Sequence, residues 1–123
     1  MRVAGIDCGT NSIRLLIADV TREGLLDVDR RMLVVRLGQG VDATGRLAPE
    51  ALERTFAATR SYAQAISDAG VDRVRFVATS ATRDAENAAE FRTGVAAILG
   101  VEPEVITGEQ EAALSFAGAT AGL

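Results

Sequence analysis

The sequence predicts an α/β domain built on a five-stranded mixed sheet, with elements in the order β-β-β-α-β-α-β-α. Two observations predict it. Short apolar runs of strand length, separated by small polar turns, open the chain. From residue 49 onward, segments of helical periodicity alternate with further short apolar runs, the pattern of a sheet flanked by helices. A length of 123 residues suits one domain, able to bury roughly two-thirds of its unfolded surface.

Taken in order, Arg2 to Asp7 reads as a short buried strand, ended by the small polar turn Cys8-Gly9-Thr10-Asn11-Ser12. Ile13 to Val20 is a second apolar run and Thr21 to Gly24 a second turn. Leu25 to Leu37 is a longer strand, and the three make an antiparallel meander. Residues 37–46 are glycine-rich and read as a loop. Pro49 suits a first helical position, although Ala48 before it offers no capping oxygen. Leu52, Phe56, Ala63 and Ile66 keep helical spacing, and Gly70 ends that helix. Val74 to Ala78 is the fourth strand. Asn87 and Glu90 have capping-box spacing, and Phe91, Val95 and Ile98 continue one helical face to Gly100. Glu104-Val105-Ile106 is a fifth, short strand. Thr107 and Gln110 then open a last helix through about Ala117. Strands four and five are expected parallel, beside strand one.

Composition narrows the function. A net charge of −4 argues against a nucleic-acid partner, whose binding rests largely on neutralised phosphates. It leaves room for a small phosphate ligand, because a helix N-terminus or a backbone nest supplies positive potential locally. All 13 basic residues are arginine, which excludes a P-loop with its phosphate-binding lysine. Cys8, the single cysteine, has no partner for an internal disulfide and fits a reducing compartment. No apolar run approaches the roughly 18–20 residues that span a bilayer. The expectation is a cytoplasmic protein without membrane or nucleic-acid partners.

Three segments carry side chains suited to chemistry, and each has a plainer reading. Asp7 to Ser12 follows strand one. Gly9 permits close approach of a ligand, the following amides suit an anion, and Asp7 suits a metal or a water. Equally, Gly9 and Asn11 suit a hairpin turn with positive φ, capped by Asp7. Thr79-Ser80-Ala81-Thr82-Arg83-Asp84 follows strand four, where ligands gather in open α/β sheets, and the Arg83 fork matches phosphate oxygens. The plainer reading pairs Arg83 with Asp84 or Glu86. Gly108-Glu109-Gln110-Glu111 opens the last helix, where acidic residues complement the helix dipole. A carboxylate held ionised there also suits a general base, and Glu111 is the candidate, with Glu109 a solvated neighbour.

Taken together, Asp7-x-Gly9-Thr10-Asn11-Ser12, the segment from Ala78 through Arg83 and Asp84 to Asn87, and Ile106-Thr107-Gly108-Glu109-Gln110-Glu111-Ala112 resemble the exopolyphosphatase and guanosine pentaphosphatase family. The first motif is shared with sugar kinases, actin and heat-shock chaperones and indicates their superfamily. The other two narrow it, and the resemblance covers essentially the whole chain. It implies a ribonuclease H-like fold of the actin/sugar-kinase superfamily and hydrolysis of terminal phosphoanhydride bonds. The substrate it implies is inorganic polyphosphate or guanosine pentaphosphate.

By position, the resemblance makes Asp7, Cys8, Gly9, Thr10, Asn11 and Ser12 the first phosphate loop. It puts Arg83, with Thr79 and Ser80, against the polyanion and makes Glu111 the base that activates water. Mg²⁺ is the implied cofactor, with Asp7 a ligand directly or through water. Gln110 stands where many members carry another acid. Cys8 replaces an aliphatic residue and reads as a small buried side chain, since the chain has no histidine to activate it. The family also has a second lobe with an Asp-x-Gly-Gly-Gly-Ser phosphate loop, which residues 1–123 do not contain. Residues 1–123 therefore read as an N-terminal lobe, nearly inactive alone, of an enzyme expected to be a homodimer. Two other functions fit parts of the pattern: a lobe of an ATP-dependent small-molecule kinase of the same superfamily, and a non-enzymatic phosphate-metabolite sensor.

Overall fold

A computed structural model of the chain describes residues 1–79, 82 and 84–105. Strands β1 (Arg2–Cys8), β2 (Ser12–Thr21) and β3 (Gly24–Val34) form the expected meander. Helices α1 (Val41–Thr44) and α2 (Pro49–Ala69) follow, then β4 (Arg73–Ala78), α3 (Ala88–Leu99) and β5 (Glu104–Val105). The sheet order is β3-β2-β1-β4-β5. β1 pairs antiparallel with β2 and parallel with β4, and β4 runs parallel to β5. This is the mixed five-stranded sheet of the ribonuclease H-like fold. The expected last helix, from Thr107, and the end of the fifth strand at Ile106 lie outside the described residues.

The pairing registers assign the two sheet faces. Ile6 stands between Leu15 and Phe76, and Cys8 between Ile13 and Ala78. These residues are buried with Tyr62 of α2 and with Phe91 and Val95 of α3, so both helices pack on this face. The Phe76 and Phe91 rings lie 5.9 Å apart, tilted by 57°, a favourable aromatic geometry. Asp7, between Arg14 and Val77, belongs to the opposite face.

Four local expectations are corrected. β3 ends at Val34 rather than Leu37, because the next residues leave the ladder: Val35 and Leu37 turn into the core at 2% and 0% exposure. The glycine-rich segment is not all loop. It contains α1, a single turn flanked by Gly40 and Gly45, both with positive φ. On α2 the buried face runs through Ala51, Leu52, Thr55, Ala58, Thr59, Tyr62, Ala65 and Ile66. Phe56 and Ala63 are only half-buried. The hydroxyls of Thr55 and Thr59 sit in the core at no cost, because each donates to the carbonyl four residues back. Lastly, Asn87 makes no side-chain cap on α3. Its amide is engaged elsewhere: Oδ1 accepts from the Leu47 amide at 2.8 Å and Nδ2 donates to the Leu47 carbonyl at 3.0 Å. Both ends of α2 behave as the sequence indicates, with Pro49 opening it after an uncapped Ala48 and Gly70 closing it in the left-handed conformation.

Phe56 leans toward α3, where a Cβ built on Gly94 would come within 2.3 Å of its ring. Helix propensity favours alanine over glycine by about 1 kcal/mol, whereas overpacking costs about 1–3 kcal/mol. Gly94→Ala is therefore expected to lower the melting temperature of the full-length protein. In a Phe56→Ala background the same substitution should be neutral or stabilising. Equal melting of Gly94→Ala and the parent would show that the ring moves aside freely.

Candidate anion-binding site

The end of β1 and the start of β2 are joined by Gly9, Thr10 and Asn11. Neither Gly9 nor Asn11 has positive φ, so the left-handed hairpin expected of these residues does not form. What shapes the loop comes from further along the chain. The Gly38 amide donates to the Thr10 carbonyl at 2.8 Å, and the amides of Val35 and Arg36 both donate to the Asn11 carbonyl at 2.9 Å. In a planar trans peptide the N–H points opposite to the C=O of the same unit. Anchoring the Thr10 and Asn11 carbonyls on residues 35–38 therefore turns the amides of Asn11 and Ser12 the other way. Among the described residues, the Thr10 and Asn11 amides and the side chains of Thr10, Asn11 and Ser12 have no hydrogen-bond partner. Exposed free donors on a braced backbone suit an anion.

Close packing maintains the brace. A Cβ on Gly38 would sit 3.3 Å from that of Thr10, so any larger residue there would need Thr10 to give by a few tenths of an ångström. Arg54 of α2 holds the outer turn by donating Nε to the Val35 carbonyl at 2.8 Å and an Nη to Gln39 Oε1 at 2.6 Å. Just beyond the loop, buried Tyr62 donates to the Ile13 carbonyl at 2.8 Å. By contrast, a Cβ on Gly9 would meet only the Ser12 carbonyl oxygen, at an ordinary 3.6 Å. Neither torsion nor packing among the described residues requires glycine there.

Asp7 lies at the base of this loop. Its Oδ1 is buried and has no hydrogen-bond partner, and among the described residues no side-chain hydrogen bond of Asp7 caps the turn. Burial pushes its carboxyl above the ordinary range, opposed by the charge of Arg14 across the β1–β2 ladder. An oxygen so placed is costly unless something binds it. Cys8 faces the core at 0% exposure, and burial pushes its thiol up to about 12, so it is a neutral packing group. Any contact of Cys8 with a ligand would be through its backbone.

The second segment meets the first through the Thr79 amide, which donates to the Cys8 carbonyl at 3.2 Å. Thr79 is itself buried, and its carbonyl accepts from both the amide and the hydroxyl of Thr82. Glu86 pairs with Arg46 at 3.2 Å. Asp7 to Ser12 and Thr79 thus converge at one end of the sheet, beyond the carboxyl ends of β1 and β4. Ser80, Arg83 and Glu111 lie outside the described residues, as do Glu109 and Gln110. Among the described residues no helix is long and apolar enough to cross a membrane.

The chain resembles known proteins over nearly its whole length. Residues 16–123 match the family model described as the Ppx/GppA phosphatase family. The chain belongs to the Ppx/GppA phosphatase family. It is 55% identical to Exopolyphosphatase 2 of Mycobacterium tuberculosis, over 99% of this chain and 41% of that protein. It superposes on an exopolyphosphatase-like protein with TM-score 0.90 and 58% identity, over 99% of this chain and 37% of that one. The Ppx/GppA structure from Aquifex aeolicus gives TM-score 0.85 and 42% identity, over 90% of this chain and 36% of that one. The chain thus spans about two-fifths of the curated relative's length.

The Ppx/GppA motifs carried Asp7 to Ser12 and Thr79 in the sequence. Gly38, Arg54 and Arg36, which shape or adjoin the loop of this Ppx/GppA chain, escaped the sequence reading. Their one local trace is the Arg36-Leu37-Gly38-Gln39-Gly40 run, legible as a turn but silent about what the turn touches.

Proposed function

We propose that the full-length protein is a phosphoanhydride hydrolase, releasing terminal phosphate from inorganic polyphosphate or converting guanosine pentaphosphate to the tetraphosphate. The single observation that carries this reading is the braced loop, whose Thr10 and Asn11 amides find no acceptor within the described chain. Such a nest takes a phosphate oxygen, and Gly9 leaves the approach unobstructed. Membership of a phosphatase family supports hydrolysis as the reaction.

In this reading the loop seats a phosphate near the scissile bond, and the hydroxyls of Thr10 and Ser12 add neutral donors. Arg83, with Thr79 and Ser80, neutralises charge on the polyanion. Glu111 takes the proton of the attacking water as its oxygen closes on phosphorus. The bond to the bridging oxygen breaks, and the shortened polyphosphate leaves. Positioning and charge stabilisation carry most of the rate in such transfers. A second lobe, outside residues 1–123, closes the other side of the phosphates, and the enzyme acts as a cytoplasmic homodimer.

The donor set fits Mg²⁺. Among the described residues there is no group of three or more Asp, Glu, His or Cys able to hold a metal. Mg²⁺ does not need one, because it keeps several waters and takes one or two carboxylates plus substrate phosphates. The unpartnered Asp7 Oδ1 is a hard oxygen donor of that kind. When bound, the ion supplies charge neutralisation on the phosphates.

The test is phosphate release by the full-length protein, with and without Mg²⁺, from long-chain polyphosphate and from guanosine pentaphosphate. Mg²⁺-dependent release from either supports the reading and names the substrate. No release from both, alongside transfer of phosphate from ATP to a small molecule, would move the protein to the kinase reading.

A further inference from the structure

We propose that Arg36 is a further anion-binding residue of this site, taking a substrate phosphate next to the one seated on the loop amides. The inference deepens the hydrolase reading and rests on it. Four observations lead to it.

Arg36 is anchored to the loop itself. Its own amide donates to the Asn11 carbonyl at 2.9 Å, beside the Gly38 contact to Thr10. This hydrogen bond fixes the Arg36 backbone beside the loop, and a side chain of arginine length can reach round the loop edge to a phosphate chain that extends past the amides.

Next, Arg36 is the one non-glycine residue with positive φ among the described residues, at 51°. Left-handed backbone is unfavourable for any residue with a Cβ, whereas glycine adopts it freely. The same turn uses glycine nearby, at Gly40 with φ 77°. The backbone alone thus favours glycine at position 36, and an arginine there is explained by its side chain. Strain of this kind gathers at functional sites.

The side chain, moreover, does no structural work. It is exposed, between the buried Val35 and Leu37, and has no ion pair or hydrogen bond among the described residues. The contrast with Arg54 is direct: that guanidinium ties the same turn to α2 through Val35 and Gln39. The structural task is already taken.

The chemistry suits the ligand. A guanidinium presents a planar fork that pairs two parallel N–H groups with phosphate oxygens and stays charged at any working pH. A single phosphate would be satisfied by the nest, so a second cationic contact next to it selects a chain of linked phosphates over a phosphomonoester.

The test is a pair of variants in the full-length protein, Arg36→Gly and Arg36→Ala. Glycine keeps the left-handed turn and removes only the guanidinium, while alanine removes the guanidinium and keeps the strain. Arg36→Gly is expected to melt no lower than the parent, to raise KM for polyphosphate about tenfold, and to leave kcat within about threefold. Its KM should also depend less on ionic strength than that of the parent. Unchanged KM in Arg36→Gly, or a defect confined to Arg36→Ala, would overturn the inference and leave position 36 a purely structural turn. Calorimetric binding of inorganic tripolyphosphate separates this inference from the hydrolase reading. If the parent releases no phosphate yet binds tripolyphosphate, about tenfold weaker binding by Arg36→Gly sustains the role of Arg36, and equal binding removes it.

Discussion

Replacing Glu111 by glutamine in the full-length protein is expected to lower kcat for phosphate release by about 10²–10⁴-fold, with KM within a few-fold of the parent. Glutamine preserves the volume and one oxygen of the side chain and removes its ability to take a proton. Water is a poor nucleophile until a base accepts its proton as the bond to phosphorus forms, and this chain has no histidine for that task. The split between the two constants is the informative part. A residue that only held substrate would raise KM, whereas a base acts only as the reaction proceeds. Activity above about a tenth of the parent in Glu111→Gln would reject Glu111 as the base.

Asp7→Asn should separate function from stability. Phosphate release is expected to fall by about 100-fold or more, the scale on which loss of one preorganised electrostatic group is felt. The fold should gain rather than lose, by about 1 kcal/mol, because a neutral amide is less costly to bury than an unpartnered carboxylate charge. The pH dependence gives the sign independently. Burial raises the Asp7 carboxyl in the folded chain above its unfolded value of about 3.8. At low pH both states hold the proton and Asp7 has no effect on stability. As pH rises through the unfolded value, the unfolded chain releases its proton first, and folding then carries the cost of holding back the charge. That cost is complete above the raised folded value. The melting advantage of Asp7→Asn should therefore be full near neutrality and shrink as pH drops toward 4 and below. Thermal melting with and without Mg²⁺ completes the test: the ion should stabilise the parent more than the variant. A variant that is less stable at neutral pH and still fully active would make Asp7 an ordinary structural residue.

Among the described residues, the buried Asp7 Oδ1 at one end of the sheet is a local stability deficit. That oxygen has no partner, while the buried hydroxyls of Thr55, Thr59, Tyr62 and Thr82 are all bonded and the free groups of Thr10 and Asn11 face solvent. The brace explains how the deficit persists. Residues 35–38, held by Arg54 and by the close approach of Gly38 to Thr10, keep the loop from relaxing into a self-satisfied turn.

By itself the sequence determined the class of fold, the strand meander, the ends of α2 and the place of the turn between β1 and β2. Each depends on residues near one another in the chain: alternating apolar runs, Pro49 and Gly70 at the helix ends, and the Asp7 to Ser12 motif that fixed the superfamily. Local propensity and short motifs are legible because their physics is local. What only the tertiary structure decided involves partners far apart in sequence. Asn87 has capping-box spacing, yet its amide closes on Leu47, 40 residues away. The loop reads in sequence as a phosphate loop or a glycine hairpin, yet its shape is imposed by hydrogen bonds from residues 35–38 and by an arginine on α2. Phe56 keeps the helical spacing of a core residue, yet it turns toward Gly94 of the neighbouring helix. A side chain with two possible partners takes the one that leaves fewer buried groups unsatisfied, and that choice depends on the whole packing around it.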